Sequence, residues 1–162
     1  MILVVLALSG VGLCFVLVLA RGAPYLPTLT PQVEAALELA ELSPGQTLIE
    51  LGCGDGKVLI AAAKKGINVV GYELNPLLAL LCIIRSLRYR KYVTVIWGDF
   101  WQKPWPEAQA IFVFLLPKYM EKLNNKIVQL PQKPVKLISF AFQVPNKTVS
   151  KEKLGVFRYD YN

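Results

Sequence analysis

The chain has 162 residues, enough for one domain and a short additional segment. It contains no histidine, which excludes serine–histidine and cysteine–histidine catalysis and histidine ligation of a metal. Its net charge of +7 favours an acidic or membrane-surface partner. Cys14, Cys53 and Cys82 lack metal-binding or C-x-x-C spacing, so we expect reduced thiols and no metal site.

The chain begins with an apolar segment. Residues 2–20 carry no charge and are followed by Arg21. At about 1.5 Å per residue, such a helix spans roughly the 30 Å core of a bilayer. A signal peptide would carry basic residues before its apolar stretch, and here there are none. We therefore predict a single-pass transmembrane anchor over residues 1–20, with the remaining chain on the cytoplasmic or matrix-equivalent side.

Two prolines, Pro24 and Pro27, exclude a continuous helix over residues 21–30, so we interpret this stretch as a linker. Thr30-Pro31 is typical of a helix start, with Thr30 as the N-cap. Residues 31–162 are predicted to form one domain in which helices and strands alternate.

The remaining elements follow from apolar runs and helix-capping residues. We predict strands over 47–51, 69–73, 92–97, within 108–116, over 135–142 and, more weakly, over 155–161, and helices over 57–65, 76–87 and 118–129. Nearly continuous apolar strands that alternate with helices are typical of a parallel sheet covered on both faces. The expected fold class is therefore α/β, with a Rossmann-like, mainly parallel sheet.

A glycine-rich loop follows the first strand. The sequence from Glu50 to Gly56 is Glu-Leu-Gly-Cys-Gly-Asp-Gly, which lets the backbone approach a ligand closely. The third glycine is one residue too early for the dinucleotide pattern G-x-G-x-x-G, and Lys57 is followed by valine rather than the Ser or Thr of a P-loop. The segment resembles motif I of the class I methyltransferases that use S-adenosylmethionine (SAM), so we expect SAM as the cofactor.

Acidic residues also end the next two strands. Glu73 ends the second strand, where a carboxylate can accept hydrogen bonds from both ribose hydroxyls. Asp99 follows the third strand and is placed to accept from the amino group of adenine, while Phe100 can pack on the ring. Three acids at three successive strand ends favour a nucleoside site over helix or turn capping alone.

Three segments together resemble one methyltransferase family: Pro-Tyr-Leu-Pro-Thr at 24–28, the loop at 50–56 and Phe-Leu-Leu-Pro at 114–117. The family includes lysine methyltransferases of the mitochondrial ATP synthase c-subunit and of the adenine nucleotide translocase, with small prokaryotic relatives. The resemblance runs from Pro24 to the C-terminus, although Lys57 stands where the family usually has arginine.

The resemblance implies a role for each matching residue. Glu50, Gly52 and Gly54 hold the amino acid end of SAM, and Tyr25 and Thr28 close over its methionine part. The implied cofactor-side residues are Tyr25, Thr28, Glu50, Gly52, Cys53, Gly54, Glu73, Asp99 and Phe100, and the implied substrate-side residues are Leu115, Leu116 and Pro117. That substrate-side segment lacks the Asn or Asp that would accept from a nucleic-acid base, so we expect no nucleic-acid substrate.

The expected function is methyl transfer from SAM to a lysine of a membrane-associated protein. A methyltransferase acting on a lipid or quinone at the membrane remains an alternative, with Trp101, Trp105 and Phe112 as an apolar lip. A non-catalytic SAM-binding protein is the other. The catalytic base is unassigned, and the basic cluster that includes Arg88 and Arg90 fits either lipid headgroups or a solvated helix end.

Overall fold

The computed structural model describes Met1, residues 28–133 and residues 135–162. The predicted anchor beyond Met1 lies outside the described residues, as do most of the linker and Tyr25. Within the part of the chain that is described, no helix is both long and apolar enough to cross a bilayer.

The described residues form one seven-stranded sheet with helices packed on it. The strands are β1 (Thr47–Leu51), β2 (Asn68–Glu73), β3 (Val93–Trp97), β4 (Ala110–Val113), β5 (Val135–Phe140), β6 (Lys151–Lys153) and β7 (Val156–Tyr161). The α-helices are α1 (Thr30–Ala40), α2 (Lys57–Ala63), α3 (Pro76–Ser86) and α4 (Met120–Val128), with short 3₁₀ turns at Leu87–Tyr89 and Pro117–Tyr119. The strand order is β3-β2-β1-β4-β5-β7-β6.

Strands β1 to β5 are parallel, whereas β7 is antiparallel to both β5 and β6. Side chains alternate across β1, so Leu48 enters the core beneath α1 and α2 and Ile49 enters the opposite core beneath α4. Glu50 therefore lies on the same face as Leu48, towards α2. This alternation places a carboxylate inside the sheet–helix interface at the carboxyl end of the central strand.

The predicted α/β fold with a mainly parallel sheet covered on both faces is confirmed, and the predicted strands agree closely with β1 to β5 and β7. One local prediction was wrong. Thr30 is the first helical residue rather than the N-cap, and Leu29 occupies the cap position without a side-chain cap bond. The proline then lies at the second helical position, where its missing N–H is still not required.

Strand β6 was not predicted, because it consists of three exposed charged residues whose pairing depends on β7. Strand β7 itself is more buried than its alternating sequence suggested. Arg158 is only 9% exposed, because its guanidinium donates to Asp160 Oδ1 (2.8 and 2.9 Å) and to Glu41 Oε2 (2.7 Å). A buried arginine is tolerated here because carboxylates on two sides compensate its charge.

Candidate functional site

The glycine loop turns the chain from β1 into α2 at the edge where the parallel strands end. Gly52, Gly54 and Gly56 all have positive φ, between +53° and +86°. The N–H groups of Gly52 and Cys53 both donate to Tyr72 O of β2, at 2.9 and 2.8 Å, which fixes the loop to the neighbouring strand. A Cβ on Gly52 would meet no atom within 4 Å, so the loop presents open backbone to a ligand on that side.

Glu73 joins the glycine loop to the start of α3. Its Oε2 accepts from Gly54 N and its Oε1 accepts from Asn75 N, both at 2.8 Å. Asn75 in turn caps α3, since its Oδ1 accepts from Leu77 N and Leu78 N at 2.9 and 3.4 Å. Burial raises the pKa of Glu73, although the backbone N–H bonds oppose that rise. The carboxylate is therefore held in one orientation at the end of β2, and its contact with ribose stays a prediction.

Glu50 holds a buried carboxyl oxygen that has no partner in the described structure. Its residue is 5% exposed, and its Oε2 has no hydrogen-bond partner among the described residues. Burial raises the pKa of Glu50 well above its usual range, and the nearby carboxylates of Asp55 and Glu73 add to the effect. A buried acceptor without a partner is costly. Such an atom at the mouth of a glycine loop is well suited to a cationic donor from a ligand.

Asp99 and Phe100 lie next to this site. Gly98 N donates to Glu73 O at 2.8 Å, so the end of β3 is held against the end of β2. The Asp99 carboxylate accepts from Trp101 N at 2.9 Å and from Gln102 Nε2 at 3.3 Å, so it shapes its own turn. Phe100 is half-buried. The fold brings both residues to the expected edge, and their contact with adenine stays a prediction.

Lys57 has a role that sequence reasoning missed. Its Nζ donates to the backbone oxygen of Thr28 at 2.9 Å, which ties the segment before α1 to the start of α2. Thr28 is buried in this arrangement. The only sequence signal was that Lys57 replaces the arginine usual in the resembling family. Either side chain supplies a cationic donor at this position, and here that donor binds the backbone of Thr28, which the resemblance places beside the methionine part of SAM.

The predicted substrate-side residues do not share one environment. Leu115 is buried in the core beneath α4, Leu116 is half-buried, and Pro117 is exposed at the start of a 3₁₀ turn. Leu116 and Pro117 are therefore accessible at the edge where the strands end, whereas Leu115 supports them from below. Their contact with a substrate stays a prediction.

The apolar lip suggested for a lipid substrate is wrong as a group. Phe112 is 2% exposed and lies in the core beneath α1 and α2. Trp101 and Trp105 are half-buried, and Lys122 and Lys126 of α4 lie over their rings at 4.3 and 4.4 Å. The three aromatic residues therefore do not share one surface.

The cysteines in this region are thiols. Cys53 and Cys82 are both buried and free, with their sulfur atoms 3.8 Å apart. Cys14 lies outside the described residues. Within the described chain, no group of three or more His, Cys, Asp or Glu side chains is arranged to hold a metal ion.

The sheet order, the glycine loop and the acid at the end of β2 define a class I methyltransferase fold. A solved structure with this fold, described as an RNA methyltransferase from Salinibacter ruber in complex with S-adenosyl-L-homocysteine, has a TM-score of 0.78 and 27% sequence identity. That comparison covers 83% of this chain and 93% of the Salinibacter chain. Residues 50–151 match the family described as the ANTKMT methyltransferase domain, and the protein belongs to that family.

Two curated relatives agree with this assignment and confirm the resemblance. The ATP synthase c-subunit lysine N-methyltransferase of Xenopus laevis is 32% identical over 148 residues, covering 83% of this chain and 65% of the relative. The protein-lysine N-methyltransferase of Saccharolobus islandicus (strain REY15A) is 31% identical over 126 residues, covering 75% of this chain and 78% of the relative. The chain thus spans slightly less than two thirds of the Xenopus enzyme.

Proposed function

We propose that this protein binds SAM at the glycine loop and transfers its methyl group to a lysine side chain of a protein. The observation that carries the proposal is the buried Glu50 oxygen without a partner in the described chain, next to the open backbone of Gly52. SAM has a cationic ammonium group at its amino acid end, which is the donor that such an oxygen lacks. Family membership and the two lysine methyltransferase relatives support the reaction type.

The residues present fit the cofactor. Glu73 already has a fixed carboxylate at the strand end, and ribose hydroxyls can donate to the lone pairs that the backbone N–H groups leave free. Gly52 leaves space for the amino acid end of SAM. The backbone of Thr28 is hydrogen-bonded to Lys57, which follows the glycine loop directly. Asp99 and Phe100 are proposed to bind adenine.

The chemistry needs positioning more than proton transfer. Bound SAM supplies a methyl group already activated by its positively charged sulfur. The chain's own residues orient the cofactor and exclude water, and an incoming lysine must lose its proton as it is desolvated. Glu73 is a poor acceptor for that proton because two backbone N–H groups already engage it. Tyr119, half-buried beside the Leu116–Pro117 edge, is the remaining described candidate, and Tyr25 lies outside the described residues.

We further propose that the substrate lysine belongs to a membrane-associated protein. The support is the uncharged segment at residues 2–20 and the relatives named for modifying the ATP synthase c-subunit. In this proposal, residues 1–20 anchor the chain in the membrane and residues 21–30 connect the anchor to the catalytic domain at 31–162. The domain lies on the cytoplasmic or matrix-equivalent side, where SAM is available.

Methyl-labelled SAM incubated with the full-length protein in its own membranes tests the proposal. We expect label on protein, at a lysine identified by mass spectrometry, and no label with Glu73→Gln. The matched control is Glu34→Gln, the same change at an exposed residue of α1. Label found only in lipid, quinone or RNA would contradict a lysine acceptor. SAM binding without any transfer would favour the non-catalytic alternative.

A further inference from the structure

The exposed side of helix α3 carries large aliphatic side chains. Its inward positions hold the small residues Ala79, Cys82 and Ser86, all at most 4% exposed. Its outward positions hold large aliphatic residues that are 38% to 58% exposed, together with Leu87 in the following turn. These residues, Leu77, Leu80, Leu81, Ile83, Ile84 and Leu87, form what we term the outer face of α3. A surface helix normally shows the opposite pattern, so this face needs a partner.

An aromatic residue extends this face at one border. Trp97, at the end of β3, is 64% exposed, and its Nε1 donates to Leu74 O at 3.2 Å. Among the described residues, eleven large hydrophobic side chains are exposed, and seven of them belong to the outer face of α3 or are Trp97. The exposed apolar surface is therefore concentrated in one place rather than scattered.

Basic residues lie at the other border. Arg88, Arg90 and Lys91 follow α3 directly, all three are exposed, and none forms an ion pair with a carboxylate in the described parts of the chain. We term these three residues the basic rim. Arg85 differs, because it pairs with Asp55 beside the glycine loop. The basic rim therefore has charge available for an external acidic group.

We propose that the outer face of α3 docks on the surface of an acidic phospholipid bilayer. The outer face consists of aliphatic side chains, which can be buried in a fluid acyl layer without leaving a polar group unpaired. Unpaired arginine and lysine beside an apolar face match the combination of acyl chains and anionic headgroups. A tryptophan at the edge of the outer face is typical of the interface between the acyl chains and the headgroups.

Docking would bring the bilayer close to the candidate site, a consequence that rests on the proposed function. Helix α3 begins at Pro76, directly after the Asn75 whose N–H holds Glu73. A bilayer against α3 therefore lies beside the cofactor-side edge of the sheet. The acceptor lysine would then be reached close to the headgroup level.

Trp97 reports docking separately from any anchoring by residues 2–20. Full-length protein is mixed with phosphatidylcholine vesicles containing phosphatidylglycerol, in which the acyl chains are brominated to quench nearby tryptophan. The emission of Trp97 is the difference between wild type and Trp97→Phe, since Trp101 and Trp105 remain in both. We expect this difference to be quenched on acidic vesicles and much less on pure phosphatidylcholine.

Matched variants assign the effect to the face. Leu80→Gln with Ile84→Gln, at 54% and 55% exposure, should abolish the quenching, whereas Val128→Gln with Leu154→Gln, both 57% exposed elsewhere, should preserve it. Arg88→Gln with Arg90→Gln should lower the ratio of docked to undocked protein about fivefold per charge, since each contributes about 1 kcal/mol near an acidic surface. Lys64→Gln with Lys65→Gln, exposed after α2, is the charge control.

Quenching of Trp97 that is the same on acidic and neutral vesicles, and the same in the Leu80/Ile84 variant, would overturn the proposal. Membrane binding by the N-terminal segment alone would then explain the quenching. Absence of quenching, with the Leu80/Ile84 variant changing the oligomeric mass measured by light scattering, would assign the face to a second copy instead. Absence of both effects would refute lipid docking. SAM affinity measured on the same samples keeps failure of the site distinct from failure of docking.

Discussion

Replacing Glu50 by glutamine should make the cofactor-free protein more stable at neutral pH while weakening SAM binding. Burial raises the pKa of Glu50 above 4.5, its ordinary value, so folding favours the protonated form. The stability that protonated Glu50 contributes to the wild type is therefore fully present below pH 4.5. This contribution is lost as the pH rises through the folded-state pKa. Glutamine does not titrate, so the two proteins should diverge as the pH rises above 4.5.

The size of the divergence has a ceiling. Each pH unit corresponds to about 1.4 kcal/mol, so even a carboxyl that stayed protonated from pH 4.5 to about pH 7 would lose at most about 3.5 kcal/mol relative to the unfolded chain. We expect Glu50→Gln to gain about 1–3 kcal/mol at about pH 7, or roughly 2–4 °C in Tm per kcal/mol for a chain of this size. Thermal unfolding at about pH 5 and about pH 8 measures the gain, which should be larger at the higher pH.

Cofactor fragments separate the two carboxylates. Calorimetry should give roughly 10–100-fold weaker SAM binding to Glu50→Gln, the range expected when a hydrogen bond to a charged group is lost. Binding of 5′-methylthioadenosine, which lacks the amino acid end, should not change. Glu73→Gln should weaken both ligands, because both contain ribose. Equal loss of both ligands in Glu50→Gln, or no gain in stability at the higher pH, would refute the assignment of Glu50 to the amino acid end.

Three other changes test a contact at the glycine loop, the packing beneath it and the buried ion pair of β7. Lys57→Met should weaken SAM binding by about 1 kcal/mol by calorimetry, because the bond to Thr28 O is lost, and Lys57→Arg should restore it. Gly71→Ala should lower the unfolding free energy by about 1–3 kcal/mol in a denaturant titration. The new Cβ would lie 2.6 Å from Leu59 Cδ1 and 2.9 Å from Cys53 Cβ. Unchanged stability would contradict this packing. Arg158→Met should lower the unfolding free energy at neutral pH and progressively less below pH 4.5. Hydrogen bonds from Lys151 and Arg158 lower the pKa of Glu41 to about 2, so Glu41 loses its charge as the pH falls below 4.5. A loss of stability that does not depend on pH would refute the ion pair.

The sequence predicted the parallel strands and the glycine loop because both depend on local pattern. Strands β1 and β4 are apolar along most of their length and are buried on both faces, so their positions need no knowledge of a partner. The start of α3 was also predictable, since Asn75 followed by proline is a cap in any context. The order of acids at strand ends then indicated the candidate site.

The features that were missed depend on partners distant in the chain. Arg158 is buried because the carboxylate of Glu41, which lies 117 residues away in sequence, accepts a hydrogen bond from its guanidinium. The bond from Lys57 to Thr28 likewise joins two segments that have no shared periodicity. Helical periodicity groups the residues of α3 by face, but it does not tell which face the sheet covers.

The unusual packing of α3 has a physical origin in the glycine loop. A Cβ on Gly56 would lie 2.6 Å from Cys82 Sγ, and the Cys53 and Cys82 sulfur atoms are 3.8 Å apart, so the helix lies directly against the loop. Only a small side chain fits at Cys82, and the neighbouring inward positions, Ala79 and Ser86, are small as well. The inner positions therefore cannot supply the burial that normally holds a helix to a sheet, and the large aliphatic residues are on the outer face. The outer face is left exposed among the described residues, so the glycine loop packs on one side of α3 and the proposed docking surface lies on the other.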